Sequence, residues 1–168
     1  DTDVRIATVV GFPLGMNTAG VKAYEAKDAV NLGADEIDMV MNVGFLKDRR
    51  VNDVEEEIRS VRKAIPDHIL LKVILETAML TDEEIVLACT IAEEAGADFV
   101  KTSTGFGPGG ASVHAVGIMK ETVGDRLGIK ASGGIGDLAT AEAMIAAGAT
   151  RLGMSKSVRV MEACEKEE

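Results

Sequence analysis

Short apolar runs alternate with amphipathic stretches from one end of this chain to the other. The runs near Arg5–Val10, Glu36–Met41, Leu70–Leu75, Asp98–Thr102, Leu127–Ala131 and Arg151–Met154 read as buried strands, and helical periodicity fills the gaps between them. Thr81 and Glu84 have capping-box spacing for a helix through Ala95, and Asp53 is placed to cap a helix through Ala64. A small motif recurs wherever helix gives way to strand: Gly33-Ala34-Asp35, Gly96-Ala97-Asp98 and Gly148-Ala149-Thr150. In each copy the glycine is expected to close the helix, and the small residue to let helix and sheet approach.

Regular strand–helix alternation implies a parallel sheet, either doubly wound or curled into a (β/α)₈ barrel. Six βα units fall short of eight, so counting alone favours an open sheet or an incomplete barrel. The polar residues point to a barrel, because Asp38, Glu76, Lys101 and Lys130 all fall at or near strand C-terminal ends, on four different strands. The first strand runs into Gly11-Phe12-Pro13-Leu14-Gly15, which is no dinucleotide-binding fingerprint. No linker or low-complexity segment divides the chain, so residues 1–168 are expected to form one domain.

Charges inside such strands need an explanation. Alternation puts Glu36, Asp38, Val40 and Asn42 on one face of the second strand; Lys72, Ile74 and Glu76 share a face of the third. Phe99, Lys101 and Ser103 do so on the fourth, and Lys130 and Ser132 on the fifth. Parallel strands are covered on both faces, so each charge must pair or shift its pKa. One reading is a structural ion-pair network. The other is catalysis: a desolvated lysine beside a second cation becomes a nucleophilic amine at neutral pH, the chemistry of a Schiff-base aldolase. Lys72 lies earlier in its strand and reads as a supporting lysine. His68 and His114 read as solvated, the eight methionines as core filling.

Composition removes other classes. A net charge of −10 argues against a nucleic-acid partner, though backbone amides can still hold a local phosphate. The two cysteines, Cys89 and Cys164, have no metal-ligand spacing and read as free thiols in a reducing compartment. No run is long and apolar enough to suggest a membrane span, and no signal peptide opens the chain, so a cytoplasmic protein is expected. Glycines cluster after the candidate lysines: Gly105 and Gly107-Pro108-Gly109-Gly110 follow Lys101, and Gly133-Gly134 follow Lys130, with Asp137 placed to cap the next helix. With the segment Gly153–Ser157 after the last strand, Gly133 and Gly134 occupy the places where barrels commonly bind phosphate.

Taken together, TVVGFPLG, EIDMVMNVG, LLKVILETAML, GADFVKTSTGFGPGGA and IKASGGI resemble the deoxyribose-phosphate aldolase family of class I aldolases, in order and over nearly the whole chain. The resemblance implies a (β/α)₈ barrel that cleaves 2-deoxy-D-ribose 5-phosphate to acetaldehyde and D-glyceraldehyde 3-phosphate without metal or cofactor. Lys101 then resembles the Schiff-base lysine, Lys130 the neighbour that lowers its pKa, and Asp38 the residue that handles protons. Gly105, Gly133, Gly134 and Ser155 are the expected substrate and phosphate contacts, with Lys156 expected to supply a charge that compensates for the family threonine replaced here by Met154. Family members begin with two further βα units, and their last strand ends in a Gly-Thr-Ser-Ser-Gly-like loop where this chain has Gly153-Met154-Ser155-Lys156-Ser157. Six units leave open sheet edges, so association of chains is expected in preference to closure of a smaller barrel. The rival readings are a transaldolase-like enzyme on another phosphosugar and an inactive barrel fragment acting in assembly.

Overall fold

A computed structural model describes residues 3–166. Six strands, β1 (Ala7–Val10), β2 (Glu36–Val40), β3 (Leu70–Ile74), β4 (Phe99–Lys101), β5 (Gly128–Ser132) and β6 (Arg151–Gly153), form one sheet in chain order, every neighbouring pair parallel. Helices α1 (Ala19–Asn31), α2 (Val43–Lys47), α3 (Val51–Ala64), α4 (Asp82–Glu94), α5 (Val113–Val123), α6 (Leu138–Ala146) and α7 (Ser157–Cys164) alternate with them, and a single 3₁₀ turn covers Thr77–Met79.

The sheet is curled. In a flat sheet β2 and β6 would stand four strand spacings apart, roughly 19 Å. Yet Arg151 at the start of β6 reaches the Glu36 carboxylate on β2 at 3.0 Å. The concave side therefore carries one set of alternating residues, and the helices cover the other, where Ile37, Met39, Leu71 and Val73 are fully buried. This is a barrel wall left open: among the described residues β1 pairs only with β2 and β6 only with β5. The terminal strands do not meet around a smaller barrel, and Val4, Ile6 and Val9 are exposed along the β1 edge.

Local rules account for the boundaries. The predicted capping box is present at Thr81 and Glu84, and Asp137 caps α6 through the Thr140 amide. Gly33, Gly96 and Gly148 each sit at positive φ immediately after a helix C-cap residue, Leu32, Ala95 and Ala147. In each case the next residue's amide reaches back to the carbonyl five residues earlier, as in Ala34 to Ala29, Ala97 to Ala92 and Ala149 to Met144. The Asp53 expectation is corrected: α3 begins at Val51, and Asp53 lies in its first turn, ion-paired with Arg50 at 2.8 Å. The cause is α2, a short helix capped by Asn42, whose end brings the chain into α3 earlier than the hydrophobic pattern suggests.

Candidate active site

Asp38 stands at the centre of the concave face. Its Oδ1 accepts from Lys72 at 2.8 Å, and its Oδ2 accepts from both Lys101 and Lys130 at 2.7 Å. The register makes this possible: Asp38 lies beside Lys72, Ile74 beside Lys101, and Lys101 beside Lys130. Lys72 also holds Glu36 at 2.6 Å, and Glu36 holds Arg151. Four cations thus surround two carboxylates. Lys72 is fully buried while Lys101 and Lys130 keep slight access, which puts the latter two at the open end and Lys72 beneath them. Glu76, four residues past Lys72, does not pair with it; its carboxylate turns to Thr104 instead.

The imbalance sets the protonation states. Burial alone would push the Asp38 carboxyl up, but the charges of Lys101, Lys130 and Lys72 overcome it and hold the group well below the ordinary carboxylate range. Glu36 follows the same logic, burial opposing and Lys72 and Arg151 winning. For Lys101, desolvation lowers the pKa; Asp38 opposes, and the positive charges of Lys130 and Lys72 add to the lowering. The net shift is downward, toward a neutral amine.

Side-chain and backbone bonds hold the two lysine strands in register beyond the sheet ladder. Thr102 Oγ1 donates to the Ser132 carbonyl and accepts from the Ser132 amide, while Ser132 Oγ donates to the Ser103 carbonyl at 2.6 Å. Gly153 on β6 leaves room for the Lys130 stem, since a Cβ there would lie 3.2 Å from Lys130 Cε and 2.9 Å from Ser132 Cβ. Under the end of β2, a buried pair joins Lys22 to Glu57 at 2.7 Å. Lys22 also donates to the Val40 carbonyl, and Glu57 accepts from the Asn42 amide. The sequence reading missed this pair, because Lys22 sits in an ordinary mixed helix. It missed Arg151 too, although alternation from its register neighbour Lys130 would have found it.

Of the predicted phosphate contacts, Gly134, Ser155 and Lys156 line one small pocket with Ile135, Gly136, Gly153 and Met154, of roughly 180 Å³. Gly105 and Gly133 do not line it. Gly133 packs backbone to backbone against Gly110, where a Cβ would fall 2.3 Å from the Gly133 carbonyl oxygen, and Gly105 lies beside it on the loop after β4. A larger apolar cleft of roughly 300 Å³ opens at the ends of β2–β4, lined by Leu14, Val40, Met79 and Phe106 with Glu76 and Thr104. Among the described residues no three His, Cys, Asp or Glu side chains gather as a metal site. Cys89 is buried with its thiol pushed up to about 12 by desolvation, so it is not a nucleophile.

Known proteins resemble this chain over nearly its whole length. Residues 2–159 match the profile of the DeoC/LacD family aldolase. The chain is 57% identical over 162 residues to the deoxyribose-phosphate aldolase of Lactococcus lactis subsp. lactis, covering 96% of this chain and 73% of that protein. Among solved structures, QR15, an aldolase, superposes with a TM-score of 0.94 at 44% identity, covering 99% of this chain and 75% of the other. The deoxyribose phosphate aldolase from Aeropyrum pernix, described as having a unique tetrameric structure, superposes with a TM-score of 0.89 at 33% identity, covering 98% of this chain and 70% of the other.

Proposed function

Because this chain belongs to the DeoC/LacD aldolase family, we propose that it is a class I aldolase that cleaves 2-deoxy-D-ribose 5-phosphate to acetaldehyde and D-glyceraldehyde 3-phosphate. The observation that carries the reading is the trio of lysines on one buried aspartate, with the Lys101 amine driven toward neutrality.

The chemistry follows from the charges. Neutral Lys101 attacks the aldehyde carbon of the open-chain sugar, and loss of water from the carbinolamine leaves an iminium. The substrate's C3 hydroxyl then gives up its proton, the C2–C3 bond breaks, and the electron pair moves into the iminium to form an enamine. D-glyceraldehyde 3-phosphate departs. Protonation of the enamine carbon and hydrolysis return the free lysine and acetaldehyde. We assign to Asp38 the relay of the hydroxyl proton through a water; its lowered pKa makes it a weak base that passes the proton on rather than holding it. The positive charge of Lys130 beside Lys101 lowers the Lys101 pKa and so favours its neutral amine. Gly134, Ser155 and Lys156 offer backbone and ammonium donors to the phosphate, with Gly105 and Gly133 shaping the loops beside them. We place the chain with soluble, phosphosugar-consuming enzymes; no described helix is long and apolar enough to cross a membrane.

The test is a cleavage assay on 2-deoxy-D-ribose 5-phosphate, following acetaldehyde, beside a panel of other phosphosugars. Release of acetaldehyde from the deoxy sugar supports the reading; turnover of a different phosphosugar alone favours the transaldolase-like rival. The exposed β1 edge also supports self-association. Size-exclusion mass above that of one chain is the expected outcome, and a stable monomer would contradict it.

A further inference from the structure

Glu76 combines two unfavourable features in one residue. Its backbone is left-handed, at φ 58°, a conformation that a side chain disfavours and glycine would adopt freely. One of its carboxylate oxygens, Oε1, is also buried with no hydrogen-bond partner. A residue that keeps both is held by its surroundings, its other oxygen among them.

That oxygen grips the loop after Lys101. Glu76 Oε2 accepts from Thr104 Oγ1 at 2.5 Å and from the Thr104 amide at 3.3 Å. Thr104 Oγ1 in turn accepts from the Phe106 amide at 3.0 Å. Gly107 then passes so close that a Cβ on it would lie 2.8–3.0 Å from the carboxylate carbon and both oxygens. On either side of Glu76, Leu75 donates to the Lys101 carbonyl and Thr77 to the Thr102 carbonyl, each at 2.9 Å. Beyond the grip, Phe106 meets Phe12 edge to face at 5.5 Å between ring centres, so the loop from β4 reaches across to the loop after β1.

We propose that Glu76 is a positioning residue: by holding Thr104 it keeps the loop after β4 closed across the open end of the barrel and limits the water that reaches the Lys101 amine. This rests on the assignment of Lys101 as the nucleophile. Lys101 is faced by Asp38 from β2, Lys72 from β3 and Lys130 from β5, with Glu36 and Arg151 completing the network. None of these touches Glu76, so the effect proposed for its loss runs through the loop and the hydration of Lys101, and Glu76→Gln separates it from loss of the carboxylate charge, which would act in the opposite direction. A better hydrated ammonium is favoured, and the amine titrates at higher pH.

The experiment is borohydride trapping of the acetaldehyde adduct as a function of pH, on wild type, Glu76→Ala, Glu76→Gln and Thr104→Val, with a thermal melt of each. Glu76→Ala should move the midpoint up by about one pH unit and slow trapping at neutral pH by about tenfold. Glu76→Gln retains an oxygen to accept from Thr104 and should return the midpoint most of the way to the wild-type value, which a simple loss of stability would not do. Thr104→Val should shift the midpoint in the same direction, and it supplies the decision if Glu76→Ala fails to fold. A folded Glu76→Ala, or in its absence Thr104→Val, with the wild-type midpoint and rate would overturn the inference. Absence of any adduct on wild type would overturn the lysine chemistry, and this inference with it.

Discussion

Lys101 and Lys130 donate to the same oxygen, Oδ2 of Asp38, each at 2.7 Å, so the two ammonium nitrogens can be no further apart than twice that length. With Lys72 on the other oxygen, three lysines share one carboxylate, and the positive charges of Lys130 and Lys72 lower the pKa of Lys101.

Replacing the field tests the division of labour. Lys130→Met removes a positive charge that lowers the Lys101 pKa. The pH midpoint of adduct formation at Lys101 should rise by about one unit. Activity at neutral pH should fall at least in proportion. An unchanged midpoint would show that Lys130 does not set the protonation of Lys101.

Removing the anion should act in the opposite direction. Asp38 is the main influence raising the Lys101 pKa against desolvation. Asp38→Asn should therefore lower the midpoint of adduct formation while cleavage falls sharply for want of a base. It should also cost about 3–5 kcal/mol of stability, because buried cations are left without their partner. Denaturant unfolding and the trapping profile together check both halves. A midpoint that rises would contradict the network.

The phosphate pocket can be probed with paired substrates. Lys156→Met should raise KM for 2-deoxy-D-ribose 5-phosphate about tenfold, the scale of one charge-assisted hydrogen bond, and leave KM for unphosphorylated deoxyribose little changed. Gly134→Val should show the same discrimination more strongly, although its φ of 79° adds strain to both substrates alike. Equal effects on the two substrates would assign both residues to folding.

Acid stability follows from the same charges. Asp38 and Glu36 have folded-state pKa values below their ordinary ones. Their contribution is full above the unfolded values near 4 and is lost as pH falls through the folded values. Glu57 works the other way, since burial raises its pKa and its contribution grows in acid. Asp38, paired with three lysines, carries the large shift of the three, so the melting temperature should decline below about pH 4. A melting temperature flat from pH 6 to pH 3 would show that the network does not contribute as described.

Much of this was legible in the sequence. Apolar runs located all six strands to within two residues, because parallel strands are buried on both faces and their signal is continuous. Alternation put Glu36 with Asp38 on one face of β2 and singled out Lys101 and Lys130 on theirs, and the structure brings these side chains together on the concave side. What stayed hidden depends on curvature and on loops. The Glu36–Arg151 contact exists only because the sheet curls by four strands. The Glu76–Thr104 grip and the approach of Gly110 to Gly133 need the path of a loop that no periodicity encodes. Gly105 and Gly133 shared a sequence context with Gly134, but only Gly134 faces the small pocket with Lys156.

The central claim is that Lys101 is the nucleophile, and one measurement addresses it directly. Wild-type protein is incubated with acetaldehyde, reduced with borohydride, digested, and the modified peptide sequenced by mass spectrometry. The account predicts a single ethyl adduct on Lys101. An adduct on Lys72 or Lys130 in place of Lys101, or none at all, would contradict it.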